Sequence, residues 1–210
     1  MTQTPEEALA KYWGFNKFRP KQKEIITDVL KGKDVLALLP TGGGKSLCYQ
    51  LPAVIKPGIV IVISPLISLM KDQVMQLNEK GIKALHIPGG LPYHELDTLL
   101  DNCIYGNYKL LYLSPERLQQ ELVIERIKQM PISLLAIDEA HCISQWGHDF
   151  RPAYRNIAIF RQSIPEVSCI ALTATATKKV ALDIIDQLEL EEVQVHQTSF
   201  LRENLGYFID

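Results

Sequence analysis

The sequence predicts an α/β fold with a mainly parallel central sheet and helices on both faces. Six short aliphatic runs recur along the chain, and the first four gaps between their starts are 24, 24, 26 and 24 residues. Such an interval fits one strand, one helix and two short loops. The runs are apolar throughout, as a sheet covered on both sides requires, and their alternation with helical spacing is typical of βαβ units.

The predicted elements follow from these runs and the intervals between them. The strand runs start at Val35, Ile59, Lys83, Lys109, Ser133 and Val167. Apolar residues at helical spacing fill the intervals, for example across 66–77 and 118–127. Before the first strand, residues 4–31 predict two helices, with Pro20 in the first turn of the second helix and Gly32 at its end. The interval after Ser133 is the longest because residues 145–152 add a loop rich in aromatic and charged side chains.

Composition excludes several classes of protein. The 210 residues carry 22 Lys and Arg against 24 Asp and Glu, a net charge of −2, and 47% of them are hydrophobic. No apolar run reaches the roughly 18 residues of a membrane span, so no membrane partner is expected. The first ten residues include two glutamates and no basic residue, which is the wrong charge for a targeting signal. We therefore expect an intracellular protein, cytoplasmic if bacterial and nuclear if eukaryotic.

The cysteines also indicate an intracellular protein. None of the four lies in a Cys-x-x-Cys pair, so we expect reduced thiols and no zinc within this chain: Cys48, Cys103, Cys142 and Cys169. The near-zero net charge permits a polyanionic ligand without requiring one.

The strongest chemical signal is a glycine-rich stretch at residues 39–46, LPTGGGKS, between a predicted strand and a predicted helix. Consecutive glycines allow backbone N–H groups to turn towards a phosphate, and a helix starting near Lys45 would add its positive end. Lys45 would bridge the β- and γ-phosphates, and the Ser46 hydroxyl would help to hold Mg²⁺. Leu39 occupies the position at which the general phosphate-loop motif has glycine. The alternative is a glycine-rich turn followed by a chance Lys-Ser pair.

A second signal is a pair of carboxylates directly after a buried strand. Residues 134–137 are apolar and run into Asp138 and Glu139. Ligands bind at the carboxyl end of parallel strands, where the phosphate loop also lies. We expect Asp138 to bind Mg²⁺ and Glu139 to orient and deprotonate the attacking water. The alternative is a helix N-cap followed by a first-turn acid.

Together these segments resemble the RecQ DNA helicases of helicase superfamily 2. The resemblance runs through residues 13–26, 38–53, 62–73, 112–118, 138–141, 144–152 and 171–177. It implies a single RecA-like domain over 1–210. Its parts are N-terminal helices with an adenine-recognition segment (1–32), a motor core (33–199) and the start of a connection to a second motor domain (200–210). That second RecA-like domain, which would carry an arginine finger, is expected in a longer protein.

The resemblance also assigns residues. Phe15 and Arg19 would sandwich adenine, and Gln22 would hydrogen-bond its edge. The phosphates would lie against residues of the glycine loop: Thr41, Gly42, Gly43, Gly44, Lys45 and Ser46. Single-stranded or partly duplex DNA would be bound, or coupled to ATP, by residues of the later motifs: Ser64, Arg117, His141, Trp146, His148, Phe150, Arg151 and Thr173. Without the resemblance, residues 13–26 read as a basic amphipathic helix, 62–73 and 112–118 as generic strand–helix junctions, and Trp146 and Phe150 as side chains pinning the loop.

The expected function is therefore that of the ATP-binding motor domain of a 3′–5′ DNA helicase, with ATP and Mg²⁺ as ligands. Two alternatives stay open: a superfamily 2 ATPase acting on RNA, and a nucleotide-sensing interaction module without turnover. A small-molecule kinase with a phosphate loop would leave the segments 62–73, 112–118 and 171–177 unexplained.

Overall fold

In the computed structural model, which describes residues 3–198, seven parallel strands form one sheet between two layers of helices. The strands are β1 (Val35–Leu38), β2 (Ile59–Ile63), β3 (Ala84–His86), β4 (Leu110–Leu113), β5 (Ile132–Ile137), β6 (Cys169–Thr173) and β7 (Gln194–Gln197). Their order across the sheet is β3-β4-β2-β5-β6-β1-β7, and every pairing is parallel. The predicted fold class is confirmed. The segment 200–210 lies outside the described residues.

Eight α-helices accompany the strands in the described part of the chain. They are α1 (Pro5–Trp13), α2 (Gln22–Leu30), α3 (Leu47–Ile55), α4 (Ile67–Glu79), α5 (Tyr93–Tyr105), α6 (Glu121–Lys128), α7 (Arg155–Gln162) and α8 (Lys178–Gln187). Neighbouring strand residues point to opposite faces, so Val35 and Ala37 pack with α2, α3 and α4, whereas Leu36 packs with α5 to α8. Helix α1 forms an outer layer against α2 and α3.

The six predicted strands form within two residues of the expected starts, but β7 was not predicted. Its residues, QVHQ, are half-buried and exposed in alternation and form the edge beside β1. A short polar edge strand has no hydrophobic run to identify it.

The two N-terminal helices form where expected, except that Pro20 lies before the second one. Helix α2 begins at Gln22, and the turn that precedes it places Lys21 in the left-handed region at φ +69°. Gly32, at φ +78°, follows the helix as a C-terminal glycine. In α1, Thr4 forms a capping box with Glu7.

Within residues 3–198, the structure contains no helix long and apolar enough to cross a membrane.

Candidate active site

The glycine loop lies at the carboxyl end of β1, where the chain turns into α3. The backbone N–H of Leu39 donates to the carbonyl of Thr173 over 3.1 Å, which joins the loop to the end of β6. Gly42 and Gly44 have φ of +78° and +75°, a region open to glycine. Thr41 is exposed at the tip. Helix α3 begins at Leu47, two residues later than predicted.

The segment expected to recognise adenine contacts the same loop. Phe15, Arg19 and Gln22 line one hollow of about 280 Å³ together with Gly44 and Ser46. The Gln22 amide is buried and donates from Nε2 to the Gly44 carbonyl over 3.1 Å. Its Oε1 accepts from the Arg19 backbone over 2.8 Å, and the Arg19 guanidinium donates to the Gly42 carbonyl. A Cβ on Gly44 would overlap Nε2 of Gln22 and displace this amide from its position against the loop.

Ser46 is held from a second element. Nε2 of Gln73, on α4, donates to Ser46 Oγ over 3.1 Å. Oε1 of Gln73 accepts from the Tyr49 hydroxyl over 2.8 Å, which fixes the orientation of the amide. Nε2 of Gln50 donates a hydrogen bond to the hydroxyl of buried Tyr112, on β4, over 3.1 Å. A continuous polar network therefore connects the glycine loop to the segment 62–73 and to β4.

The two carboxylates follow β5 at the same edge of the sheet. Asp138 is 6% exposed, and its Oδ2 accepts from the Ser64 hydroxyl over 3.3 Å while Oδ1 accepts from the Glu139 backbone over 3.0 Å. Burial and the neighbouring Glu139 raise the pKa of Asp138 above its ordinary value, and the Lys45 ammonium opposes this shift. Burial at the end of β5 therefore disfavours the charged form of Asp138.

Glu139 is linked to Thr173, at the end of β6, through His141. Its backbone is left-handed at φ +48°, and its Oε2 lies 3.4 Å from Nδ1 of His141. The same Nδ1 lies 2.9 Å from Thr173 Oγ1. Because the Thr173 hydroxyl donates to the Thr175 carbonyl, the network assigns Nδ1 as the donor of this pair. Burial lowers the pKa of His141, with the neighbouring His148 ring acting in the same direction; that ring is stacked on His141 at 5.2 Å.

The loop 144–152 presents its tryptophan to solvent. Trp146 is 63% exposed, and Lys179 Nζ, from α8, lies 3.2 Å from the ring centroid. Phe150 is half-buried, with the Arg155 guanidinium 5.5 Å from its ring centroid. Cation–π contacts such as these hold aromatic rings in place without burying them.

The two remaining arginines make other contacts. Arg151 lies 3.7 Å from the Asp149 carboxylate, and its backbone donates to the Cys142 carbonyl over 2.8 Å. Arg117 donates to the Pro88 carbonyl and, over 2.8 Å, to Gln120. These contacts tie Arg117 to the loop after β3, and none of them reaches the glycine loop.

The structure thus brings most of the sequence-predicted residues to one edge of the sheet. The Thr173 hydroxyl bonds His141 rather than either carboxylate. Sequence reasoning missed Gln73, Lys179 and Tyr154, whose hydroxyl donates to the Asp138 carbonyl over 2.8 Å. None of these three has a local sequence signal, because each meets its partner only through the tertiary fold.

Comparison of the sequence with known proteins finds helicase matches along most of the chain. A family model described as DEAD/DEAH box helicase matches residues 19–184. The chain is 46% identical over 206 residues to the probable ATP-dependent DNA helicase RecS of Bacillus subtilis, covering 98% of this chain and 41% of that protein. It is 48% identical over 209 residues to the ATP-dependent DNA helicase RecQ of the same organism, covering 99% and 35%. The chain therefore spans about two fifths or less of the length of these curated relatives.

A solved structure shows the same fold. The crystal structure of the Pyrococcus furiosus Hef helicase domain matches with a TM-score of 0.66 and 21% identity, covering 85% of this chain and 38% of that one. The RecA-like architecture expected from the sequence is thereby confirmed.

Proposed function

The chain belongs to the DEAD/DEAH box helicase family, with RecQ helicases as close relatives in sequence, and we propose that it is the ATP-binding motor domain of an ATP-dependent 3′–5′ DNA helicase. The observation that carries the proposal is that the glycine loop and the two carboxylates lie at one carboxyl edge of the parallel sheet, where Leu39 bonds Thr173 and Thr173 bonds His141 beside Glu139. A DNA substrate would require an intracellular location.

ATP binds to the loop through backbone and side-chain donors in this proposal. Backbone N–H groups of residues 41–44 surround the phosphates, and the Lys45 ammonium pairs with the β- and γ-phosphates. Phe15 and Arg19 enclose adenine in the hollow that they already line with Gln22. When Gln22 hydrogen-bonds the adenine edge, its amide gives up the bond that it now donates to the Gly44 carbonyl.

The donor set at the loop fits Mg²⁺. Ser46 Oγ and the Asp138 carboxylate are hard oxygen ligands of the kind that this ion prefers. Asp138 is buried beside a second carboxylate, which raises its pKa, and a cation would relieve that cost. Ser46 and Asp138 would therefore hold Mg²⁺, which supplies charge neutralisation at the phosphates.

Glu139 acts as the general base on the attacking water. The water oxygen forms a bond to the γ-phosphorus as the bond to the β–γ bridging oxygen breaks, and the carboxylate accepts the water proton. ADP and inorganic phosphate leave. Because Glu139 lies beside the His141–Thr173 pair, its position depends on the ends of β5 and β6 together.

DNA acts on this centre through the side chains around it. Trp146 and Phe150 stack on bases, and Arg117 and Arg151 contact phosphates. Ser64 and Thr173 transmit the change because Ser64 bonds Asp138 and Thr173 bonds His141. His141 and His148 connect the loop to Glu139.

A second RecA-like domain of the full-length protein would complete the site with an arginine finger, a group worth about 10³–10⁵ in rate. We therefore expect this chain alone to bind nucleotide, hydrolyse it slowly and unwind nothing.

The test measures ATP turnover of the chain and of the full-length protein with no nucleic acid, with single-stranded DNA and with RNA. We expect DNA stimulation in the full-length protein only. Stimulation by RNA alone would replace the DNA proposal with an RNA-acting motor, and nucleotide binding without turnover in the full-length protein would indicate a sensing module. Partial duplexes with 3′ or 5′ overhangs test the polarity.

A further inference from the structure

Three side chains that can bind a metal meet beside the Asp138–Glu139 pair, outside the nucleotide site. They are His141, Cys142 and Asp149, and their donor atoms lie within 4.8 Å of one another. Cys142 Sγ is 3.8 Å from His141 Nε2 and 3.7 Å from Asp149 Oδ2. His141 and Cys142 are buried in the turn after β5, whereas Asp149 comes from the exposed loop.

These distances approach those of a tetrahedral zinc site. Zinc bonds of about 2.0–2.3 Å to nitrogen, oxygen and sulfur place the ligand atoms of such a site about 3.4–3.6 Å apart. The two sulfur distances exceed this by a few tenths of an ångström. The carboxylate of Asp149 is on a half-exposed side chain and can close the remaining gap.

The orientation of His141 suits a metal ligand. Its Nδ1 donates to the Thr173 hydroxyl over 2.9 Å, so Nε2 carries the free lone pair, and Nε2 is the atom that faces Cys142. Metal-binding histidines are commonly held in this way by a second hydrogen bond through the other ring nitrogen.

The surroundings of the cluster leave access to it. Of the three ligands, His141 alone lines the adjoining hollow of about 410 Å³, together with Trp146, Gly147 and His148, and Asp149 is exposed on the loop. Two features oppose binding. The Arg151 guanidinium lies 3.7 Å from the same Asp149 carboxylate, and burial raises the pKa of the Cys142 thiol to about 12. An ion that binds thiolate strongly is therefore required.

We propose that His141, Cys142 and Asp149 form a binding site for a thiophilic divalent cation of the zinc class, with water completing the coordination; this proposal departs from the absence of zinc expected from the cysteine spacing. On binding, the Cys142 thiol loses its proton to solvent and the thiolate becomes a ligand. The ligand set of nitrogen, sulfur and oxygen differs from the all-oxygen set at Ser46 and Asp138, so Mg²⁺ does not compete for it.

Occupation would join the turn after β5 to the loop 144–152. Asp149 would be fixed to His141 and Cys142, and Trp146, three residues before Asp149, would lose freedom to move. This consequence, unlike the metal site itself, rests on the proposed function: a fixed loop would reduce stimulation of ATP turnover by DNA.

The test is titration of the 210-residue chain with Co²⁺, a spectroscopic substitute for Zn²⁺, in the absence of nucleotide and DNA. We expect one equivalent to produce thiolate-to-cobalt charge-transfer absorption, and Zn²⁺ to displace it. Cys142→Ser should remove the absorption, and Asp149→Asn, at a half-exposed position, should weaken binding by tenfold or more. Cys103→Ala, which removes a buried cysteine of α5, is the matched control and should leave the titration unchanged.

Several outcomes would overturn the proposal: no charge-transfer band in the unmodified chain, a band that survives Cys142→Ser, or equal affinity in Asp149→Asn. Circular dichroism on each variant separates loss of the site from loss of the fold. Failure of the helicase proposal would leave these binding results untouched, because none of them measures turnover.

Discussion

Nε2 of Gln73 donates a hydrogen bond to the Oγ of Ser46 over 3.1 Å, and this bond joins α4 directly to the glycine loop. Gln73 belongs to the segment 62–73, whose Ser64 we propose to couple DNA to the nucleotide site, whereas Ser46 is a proposed magnesium ligand. The Gln73 amide therefore links a segment that we propose to couple DNA with a proposed magnesium ligand. Its orientation is settled by the Tyr49 hydroxyl, which donates to Oε1.

Replacement of this amide should weaken nucleotide binding. Gln73→Ala removes the group that orients Ser46, and loss of a residue that positions a metal ligand commonly costs about 10–100-fold in metal affinity. We expect a similar loss for magnesium nucleotide, measured by titration with a fluorescent ATP analogue. Gln76→Ala, at an exposed position three residues along α4, is the matched control. Equal affinity in the two variants would contradict the role given to Gln73.

Lys45→Ala should lose nucleotide affinity more directly. A charge-assisted hydrogen bond contributes about 1.5–3 kcal/mol, so its loss corresponds to about 10–100-fold in affinity. The same titration measures it, with Lys128→Ala, an exposed lysine at the end of α6, as the control. An unchanged dissociation constant in Lys45→Ala would remove the loop from the nucleotide site.

Asp138→Asn should stabilise the nucleotide-free chain at neutral pH while abolishing magnesium-dependent binding. The pKa of Asp138 is raised above its ordinary value of 3.8, first by burial and then by Glu139, so the charged form costs folding free energy. The variant removes that cost, and we expect a gain of about 0.5–2 kcal/mol in the free energy of unfolding.

The pH dependence of this gain has a definite sign. The folded chain holds the Asp138 proton more tightly than the unfolded chain, so the destabilisation is complete above the raised pKa and disappears as pH falls towards 3.8. Urea unfolding of both proteins across this range should show the advantage of Asp138→Asn shrinking in acid. An advantage that grows in acid would refute the assignment.

Trp146→Ala should spare nucleotide affinity and abolish DNA stimulation of ATP turnover in the full-length protein. The ring is exposed, and base stacking is worth about 1–3 kcal/mol per base. Trp146→Phe retains a ring and should retain part of the stimulation. If Trp146→Ala were stimulated as fully as the unmodified protein, the tryptophan would have no part in DNA coupling.

Asp34 offers a test of stability separate from the nucleotide site. Its carboxylate is 6% exposed, accepts from the Cys169 and Glu191 backbones over 2.7 and 3.0 Å, and pairs with Arg161 over 3.3 Å. Asp34→Ala leaves the buried Arg161 without its partner, and we expect a loss of about 3–5 kcal/mol in the free energy of unfolding. Urea denaturation measures it, with exposed Asp186→Ala as the control. Below the unfolding transition, nucleotide affinity should persist, because Asp34 precedes β1 at the sheet edge opposite the glycine loop.

Local patterns predicted much of the site. The run of glycines before Lys45 and the carboxylates after β5 both mark the ends of strands, and parallel strands end at one edge. The pattern could not identify Gln73, which lies 27 positions from Ser46, or Lys179, which meets Trp146 from a different helix. Pro20 was misplaced because a proline that suits a first helical turn also suits the turn before it.

The amino-acid sequence alone determined the alternation of strands and helices. It also determined the residue types at the glycine loop and at the Asp138–Glu139 pair, because both features depend on near neighbours in the chain. The three-dimensional packing decided which side chains hold those groups in place, including the pairing of Thr173 with His141 rather than with a carboxylate. These partners belong to segments far apart in sequence, and their contacts depend on distance and burial in the folded chain. A short-range sequence pattern therefore cannot predict them.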